Sequence, residues 1–515
     1  MTHPLQAKLS GTSGTTAVLA GLLLASFGAA AQTEPEATSK RTVSVVPRIS
    51  LTETYTDNLY LTGSPTKSEW VTELSPGVKV DIAGARLKAF FDYSFTKLAY
   101  ASEGALGRSQ NSLNTGGTLE AIEKWFFVDF GGMISQQSIS AFGTQAGSNN
   151  TAINGNQTEV AEYRISPYLR GRLAGAVDYE ARISRDTTRP KDDVAPGSAS
   201  TDAFVTLTGG GRASGLGWTA DVGQRNDSYT TGRDTEAQRI NLGLYKAFSP
   251  QVKVTAKIGH ESNDYTTVDR QTYDTYSLGL NWAPSEVTKL AATVGHRYFG
   301  NAHDISFEHR TGRTVWTFSD VVDDYTQNQS GMTSQGSNYD LLYRQFAAVE
   351  PDPTARATLV SNYLQKNGIS ATTVSSSFLS SAVTLERRQN LSFALLGLRD
   401  TILLSVSQTR STRVDTLSTG VDDLTNSDVV RQQWLNANYS HRLTPDTSLG
   451  VTLSRQDTSG DNSLQDTSLK ELHVNLTGKI GKHAAATLGA RRMLFQSNTA
   501  PYAESALIGT FNMQF

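Results

Sequence analysis

Apolar and polar residues alternate along most of this chain with a period of two. In residues 503–515, Ser505, Leu507, Gly509, Phe511, Met513 and Phe515 fall on one face of an extended chain, and Glu504, Ala506, Ile508, Thr510, Asn512 and Gln514 on the other. One apolar and one mostly polar face predict a half-buried strand. The same pattern recurs upstream. Ile240, Leu242, Leu244 and Phe248 oppose Arg239, Asn241 and Tyr245, and Leu449, Val451 and Leu453 oppose Ser448, Thr452 and Ser454. Tight connections rich in turn-forming residues are expected at 83–84, 123–124, 173–175, 214–217, 249–250, 283–286, 311–313, 398–400, 444–446 and 481–482. Longer polar connections, such as 57–69, 142–156, 189–200, 230–235, 415–428 and 458–466, lie between them.

Short and long connections are read as strictly taking turns. That is the arrangement of a transmembrane barrel with tight periplasmic turns and longer outer loops. A soluble β-sandwich has no reason to sort its loops this way. The expected fold is therefore an all-β, antiparallel transmembrane β-barrel of about 22 strands, or as few as about 18 if weak segments merge. Both ends of the barrel fall on the periplasmic side. The closing strand would pair with the first, and Phe511, Met513 and Phe515 would form an assembly signal read by the barrel assembly machinery. Trp70, Tyr100, Trp125, Phe248, Trp282 and Tyr298, near segment ends, are expected to form aromatic girdles.

One region breaks the alternation. Residues 323–377 form a helical insertion by pattern: Asp352-Pro353 reads as a cap and first turn, and Asn367-Gly368 as a stop. Leu359, Val360, Tyr363 and Leu364 make a helical stripe, and 339–349 a second, weaker helix. Such an element must pack into the lumen, over the mouth or against a partner. The strand count puts its connection on the outer side, and it is the candidate gate.

Composition narrows the setting. With 515 residues, 43 glycines, 14 prolines and no cysteine, the chain has many turns and no disulfide, thiolate metal site or cysteine nucleophile. The formal charge of −3 is mild and gives no reason to expect nucleic acid. Residues 1–31 read as a signal peptide: Lys8, then a run of small and apolar residues ending Ala29-Ala30-Ala31, with cleavage between Ala31 and Gln32. Residues 32–41 read as a flexible segment and 42–515 as the barrel. After Ala31 no apolar run reaches the length of a membrane helix, so a membrane-embedded product must be a closed barrel. The expected location is the outer membrane of a Gram-negative bacterium, with its lipid as a partner.

Candidate chemistry is sparse. No histidine set has the spacing of a metal site; His303-Asp304 with His309 is the nearest, and reads more simply as polar loop or lumen residues. Gly209-Gly210-Gly211 lacks the following Lys-Ser/Thr of a phosphate loop and reads as a place of curvature or close approach. No cofactor and no enzyme activity are expected. Charges on the predicted lumen face say more. Glu162, Arg164, Tyr168, Arg170 and Arg172 on one strand meet Asp178, Glu180, Arg182 and Asp186 on the next, and Arg239 points inward further on. Such residues either brace the wall as cross-strand pairs or line a selective passage. Inward Tyr168, Tyr245 and Trp434 are positioned to stack on sugar rings.

Several stretches resemble the PEP-CTERM-system-associated outer-membrane protein family, found beside exosortase and exopolysaccharide loci. They are TETYTDN (52–58), SPGVKV (75–80), FDYSF (91–95), PDPTARATLV (351–360), RRQNLSFALLGLRDTILLS (387–405) and the closing strand. The resemblance implies a role in exopolysaccharide export, as a conduit or outer-membrane component, with polysaccharide or its export components as partners. It brings no active-site residues. Rival expectations are a non-conducting sorting scaffold and, behind it, an outer-membrane hydrolase.

Overall fold

The computed structural model describes residues 43–191, 195–210, 215–325, 338–346, 356, 359–360, 363, 378–415, 417 and 420–515. The predicted signal peptide, its Ala31–Gln32 cleavage point and the segment 32–41 lie outside the described residues, as does most of 323–377.

Twenty-two strands make up the wall. They are β1 (Val43–Thr56), β2 (Glu69–Ala83), β3 (Leu87–Tyr100), β4 (Arg108–Ile122), β5 (Phe126–Ser138), β6 (Gln157–Leu173), β7 (Val177–Pro190) and β8 (Ser198–Gly210). They continue as β9 (Leu216–Tyr229), β10 (Thr235–Ser249), β11 (Val252–Asn263), β12 (Gln271–Ser285), β13 (Thr288–Arg297), β14 (Gly300–Arg310) and β15 (Thr314–Tyr325). The last are β16 (Thr384–Leu396), β17 (Asp400–Arg413), β18 (Val429–Arg442), β19 (Thr447–Ser459), β20 (Thr467–Ile480), β21 (Ala484–Ser497) and β22 (Tyr502–Gln514). Each pairs antiparallel with its sequence neighbours, and β22 closes on β1 in the register Arg48↔Gln514 to Thr56↔Ala506. Closure leaves no strand edge in lipid, which is what allows strands to cross a bilayer. Strand spacing and tilt imply a barrel about 40 Å across between opposing backbones.

Outward positions carry the apolar half of the alternation. Leu242, Leu244, Ile258, Tyr276, Leu278 and Leu488 are among the most exposed residues of the chain. A belt of this kind around a closed barrel places the protein in the outer membrane, with its short turns on the periplasmic side. The belt is uneven. Five successive outward positions are apolar on β1 (Val43, Val45, Pro47, Ile49, Leu51) and β3 (Leu87, Ala89, Phe91, Tyr93, Phe95). Only three are on β17 (Ile402, Leu404, Val406) and β19 (Leu449, Val451, Leu453) before Gln408 and Arg455.

Two expectations need correction. Loop length does not strictly alternate: β13 and β14 are joined on the outer side by Tyr298-Phe299 alone, closing Arg297↔Gly300. Gly300, at a φ of 101°, takes a backbone conformation that other residues rarely adopt, and this permits the tight turn. Nor do all the end-of-strand aromatics form girdles. Tyr100 points inward and is buried, and Tyr298 sits in an outer-loop cluster with Tyr265 and Tyr273. Trp70 and Trp282 do face outward and are exposed. Gly209 lies directly under the Trp218 ring, where a Cβ would stand 2.5 Å from an indole atom.

At the carboxy end, the Phe515 amide donates to Pro47 O at 2.9 Å and its ring projects outward, 65% exposed. Asn512, opposite Ser50, faces the lumen. Phe515→Ala is expected to reduce the amount of folded barrel in the outer membrane severalfold, while Asn512→Ala leaves it unchanged. Heat-modifiable gel migration of membrane fractions measures both, and equal yields would refute a special role for the terminal ring.

Candidate functional site: the lumen and its two closures

Lumen chemistry begins with the inward half of the alternation. On β5 to β9 the inward residues form a ladder of ion pairs. Arg182 bonds Asp129 at 2.8 Å and Glu180 at 2.9 Å, Arg164 pairs with Asp186, and Arg172 bonds Asp178 at 2.6 Å. Further round, Lys257 bonds Asp221 at 2.7 Å, while Arg297 gathers Glu261, Asp323 and Asp324 (2.7 Å) at the outer end of the wall. Neighbouring strands are thereby tied across the ladder.

The structure places Glu162, Arg164, Tyr168, Arg170, Asp178, Glu180, Arg182 and Arg239 on the inner face. They do not act as one group. Glu162 is buried and accepts from Gln137 at 2.9 Å. Tyr168 is unavailable for stacking, because Phe127 covers one side at 5.1 Å and the Arg182 guanidinium sits 3.8 Å from its ring centre. Arg170 in turn covers Phe127 at 4.1 Å. Tyr245 is capped by the Lys253 ammonium at 4.0 Å. Arg239 differs: it is exposed and has no acidic partner among the described residues. Trp434 also lines the cavity and is half-buried; its indole N–H is buried and has no partner among the described residues.

Two closures bound this space. The outer one is the connection between β5 and β6, residues 139–156, which folds into the mouth instead of standing away from it. Leu61, Ala146, Ala152, Leu469, Met493, Phe495 and Tyr502 form a buried cluster that ties it to β20–β22. Asn149 Nδ2 donates to Glu504 at 3.4 Å, Ser148 donates to Glu471, and Tyr100 OH donates to Thr151 O at 2.9 Å. Ser140 Oγ and the Ala141 amide both donate to Asp423 at 2.6 Å, crossing the mouth to the connection between β17 and β18. Burial pushes the Asp423 carboxyl above its ordinary range, and those two hydrogen bonds act against the shift. Asp422 accepts from Ser381 N at 2.7 Å, and Arg233 lies 3.5 Å from Asp415, so two further segments, the one leading into β16 and the β9–β10 connection, join the roof.

The inner closure comes from the insertion. Helix α1 (Asn338–Gln345) packs on β15 and β16. Leu342 and Val360 bury against Val315, Ala394 and Leu403, with Tyr339, Tyr343, Phe346, Tyr363 and Leu396 around them. Val315, Ala394 and Leu403 are inward residues at the periplasmic ends of their strands. Gln345 Nε2 reaches Thr311 O, in a periplasmic turn, at 3.5 Å, and Tyr363 OH meets Thr401 Oγ1. The insertion therefore leaves the wall at the outer rim, while its described helical residues sit inside the barrel near the other end. Of the residues expected to form the longer helix, only Arg356, Leu359, Val360 and Tyr363 are described, all helical.

Between roof and helix lies a cavity of about 1600 Å³. One side carries the ion-paired wall of β6–β15. The other, on β17–β19, presents amides, hydroxyls and one ring, Ser407, Thr409, Gln432, Trp434 and Gln456, with Asn390 and the Glu386–Arg388 pair beside them on β16. Phe204, Gly223 and Arg239 also border a second space of about 440 Å³, lined by Asp221, Asn241 and Lys257, which continues toward the periplasm along β8–β11. His303 lies elsewhere: it faces outward, 3.0 Å from Asp320.

No known family model matches the chain, and no curated protein does. Among solved structures it is similar to the ferric enterobactin receptor PfeA of Pseudomonas aeruginosa, with 10% identity, 92% of this chain and 80% of that chain covered, and a TM-score of 0.44. The siderophore receptor PirA of Acinetobacter baumannii gives 8% identity, coverage of 91% and 80%, and a TM-score of 0.45. The FrpB iron transporter of Neisseria meningitidis gives 11%, 91% and 82%, and 0.46. The likeness is too remote to carry any residue role across.

Proposed function

We propose that this outer-membrane barrel is a gated conduit, or the outer-membrane component of a larger conduit, for an extracellular polysaccharide. The observation that supports the reading best is the roofed cavity whose β17–β19 side, around Trp434, is lined by amides and hydroxyls. Sugars are bound by hydrogen-bonding side chains and by rings that cover their apolar faces. The ion-paired wall opposite is read as bracing, because most of its charges are spent on each other. Arg239 is an exception, an exposed cation at the passage between the two cavities with no acidic partner among the described residues. The polysaccharide itself rests on the sequence resemblance to exopolysaccharide-associated barrels.

The test is made in the host. In cells lacking the protein, exopolysaccharide should accumulate in the periplasm and fall in the medium, and the full chain supplied in trans should reverse both. Unchanged partition of the polymer between periplasm and medium would remove the proposal.

A further inference from the structure

The outer surface of β16–β21 carries one basic residue on each strand: Arg387, Arg410, Arg431, Arg455, Lys470 and Arg492. All six share the outward face with the apolar belt beneath them. They are also neighbours across the sheet. Arg387 stands opposite Arg410, Arg410 opposite Arg431, and Arg455 opposite Lys470. Like charges directly opposite each other destabilise a sheet. Here the wall supplies little relief. Asp320 holds Arg387 at 2.7 Å, Asp457 holds Arg455 at 2.7 Å, and Arg492 bonds only the Ser505 hydroxyl. Arg410, Arg431 and Lys470 have no acidic partner among the described residues.

Height and location add to the charge. Each basic residue lies four to six residues beyond the middle of its strand's apolar stretch. At the rise and tilt of barrel strands this is about 10–16 Å above the bilayer midplane, at the level of outer-leaflet headgroups. The band is local. At the corresponding height on β9–β12 the outward residues are Gln224, Gln238, His260 and Asp274. Six strands span about 24 Å along the sheet, wider than a single phosphate requires.

We infer that this basic ledge binds the phosphates of an acylated glycolipid of the outer leaflet, whose chains lie on Leu391, Val406, Leu435, Leu453 and Leu472 below. A phosphate-bearing headgroup cancels the repulsion that the sheet leaves uncancelled. A headgroup with two phosphates spans the separation between the arginine trio and the Arg455–Lys470 pair. The apolar face beneath selects a lipid over a free anion.

The test uses the full chain purified in neutral detergent and a doubly phosphorylated, multiply acylated disaccharide lipid as probe, with retained lipid counted by native mass spectrometry. In R410Q/R431Q/K470Q, retention should fall about a hundredfold, at roughly a factor of five for each basic residue near an anionic surface. K97Q/R185Q, outward cations on other strands, should retain lipid as the unmodified chain does. Phosphatidylglycerol should compete weakly and inorganic phosphate not at all. Equal retention by the triple variant, equal loss in K97Q/R185Q, or displacement by inorganic phosphate would each overturn the inference. Heat-modifiable migration confirms that the variants are folded; K470Q alone, expected to lose about fivefold, serves if the triple variant is not.

Discussion

Replacing residues 326–377 with a short Gly-Ser linker should raise the single-channel conductance of the reconstituted barrel severalfold. The reason is geometric. A wall of 22 strands encloses far more width than side chains can fill, so such a barrel is either an open channel or closed by something inside it. A helix is about 10 Å across, and α1 with its neighbours occupies the β15–β17 side of the periplasmic end. Its packing is apolar, with Leu342 and Val360 fully buried against the wall, so it is seated and not merely suspended. Removing it exposes Val315, Ala394 and Leu403 to water but breaks no strand pairing, and the barrel should still assemble. Planar-bilayer recordings of the full and shortened chains decide the matter. No conductance from either would favour the scaffold reading over the conduit. Equal, large conductance from both would show that the helix does not obstruct the lumen.

Glu504→Ala should cost about 3–5 kcal/mol of barrel stability, the usual result of leaving one member of a buried ion pair without the other. Glu504 is fully buried and Arg491 nearly so; they bond at 2.8 Å on adjacent strands beside the barrel seam. The same carboxylate also accepts from Thr56 on β1 at 2.9 Å and from Asn149 in the roof. One side chain thus joins the closing strand, the opening strand and the loop over the mouth. Its loss strands the Arg491 charge and frees one anchor of the roof. Unfolding in denaturant followed by tryptophan fluorescence should show the midpoint fall, and the double change Glu504→Ala with Arg491→Met should recover much of it. A midpoint shift below about 1 kcal/mol in the single variant, the worth of an exposed pair, would mean the pair is not buried in the working protein.

Much of the wall could be read in the chain because strand chemistry repeats. The period-two alternation gives the inward and outward faces, and turn residues divide one hairpin from the next. No weak segments merged and all 22 strands formed, since a closed ladder leaves no choice about pairing. The two closures were not legible in the same way. Ser140 meets Asp423 across 283 positions of sequence, and nothing local to either residue marks them as partners. The seat of α1 did leave a trace. Phe393, Ala394, Leu395 and Leu396 are apolar without alternation, as are Ile402, Leu403 and Leu404. Unbroken apolar runs mean burial on both faces, and in a barrel wall the second face is the lumen. The stacking expectation for Tyr168 failed for a different reason: the residue points inward, but Arg182 and Phe127 fill the space that a sugar would need.

The uneven apolar belt has a mechanical consequence for the surrounding membrane. Five outward apolar positions on β1 and β3 cover about 21 Å of height, while three on β17 and β19 cover about 10 Å. A bilayer of uniform thickness cannot match both. It must be pinched beside β17–β19, or the barrel must lean toward that side, and either response stores elastic energy in proportion to the mismatch. The protein thus sits in a standing deformation of its own making, a dimple on one flank that favours shorter or more disordered lipid chains and gives the molecule a fixed direction in the plane of the membrane.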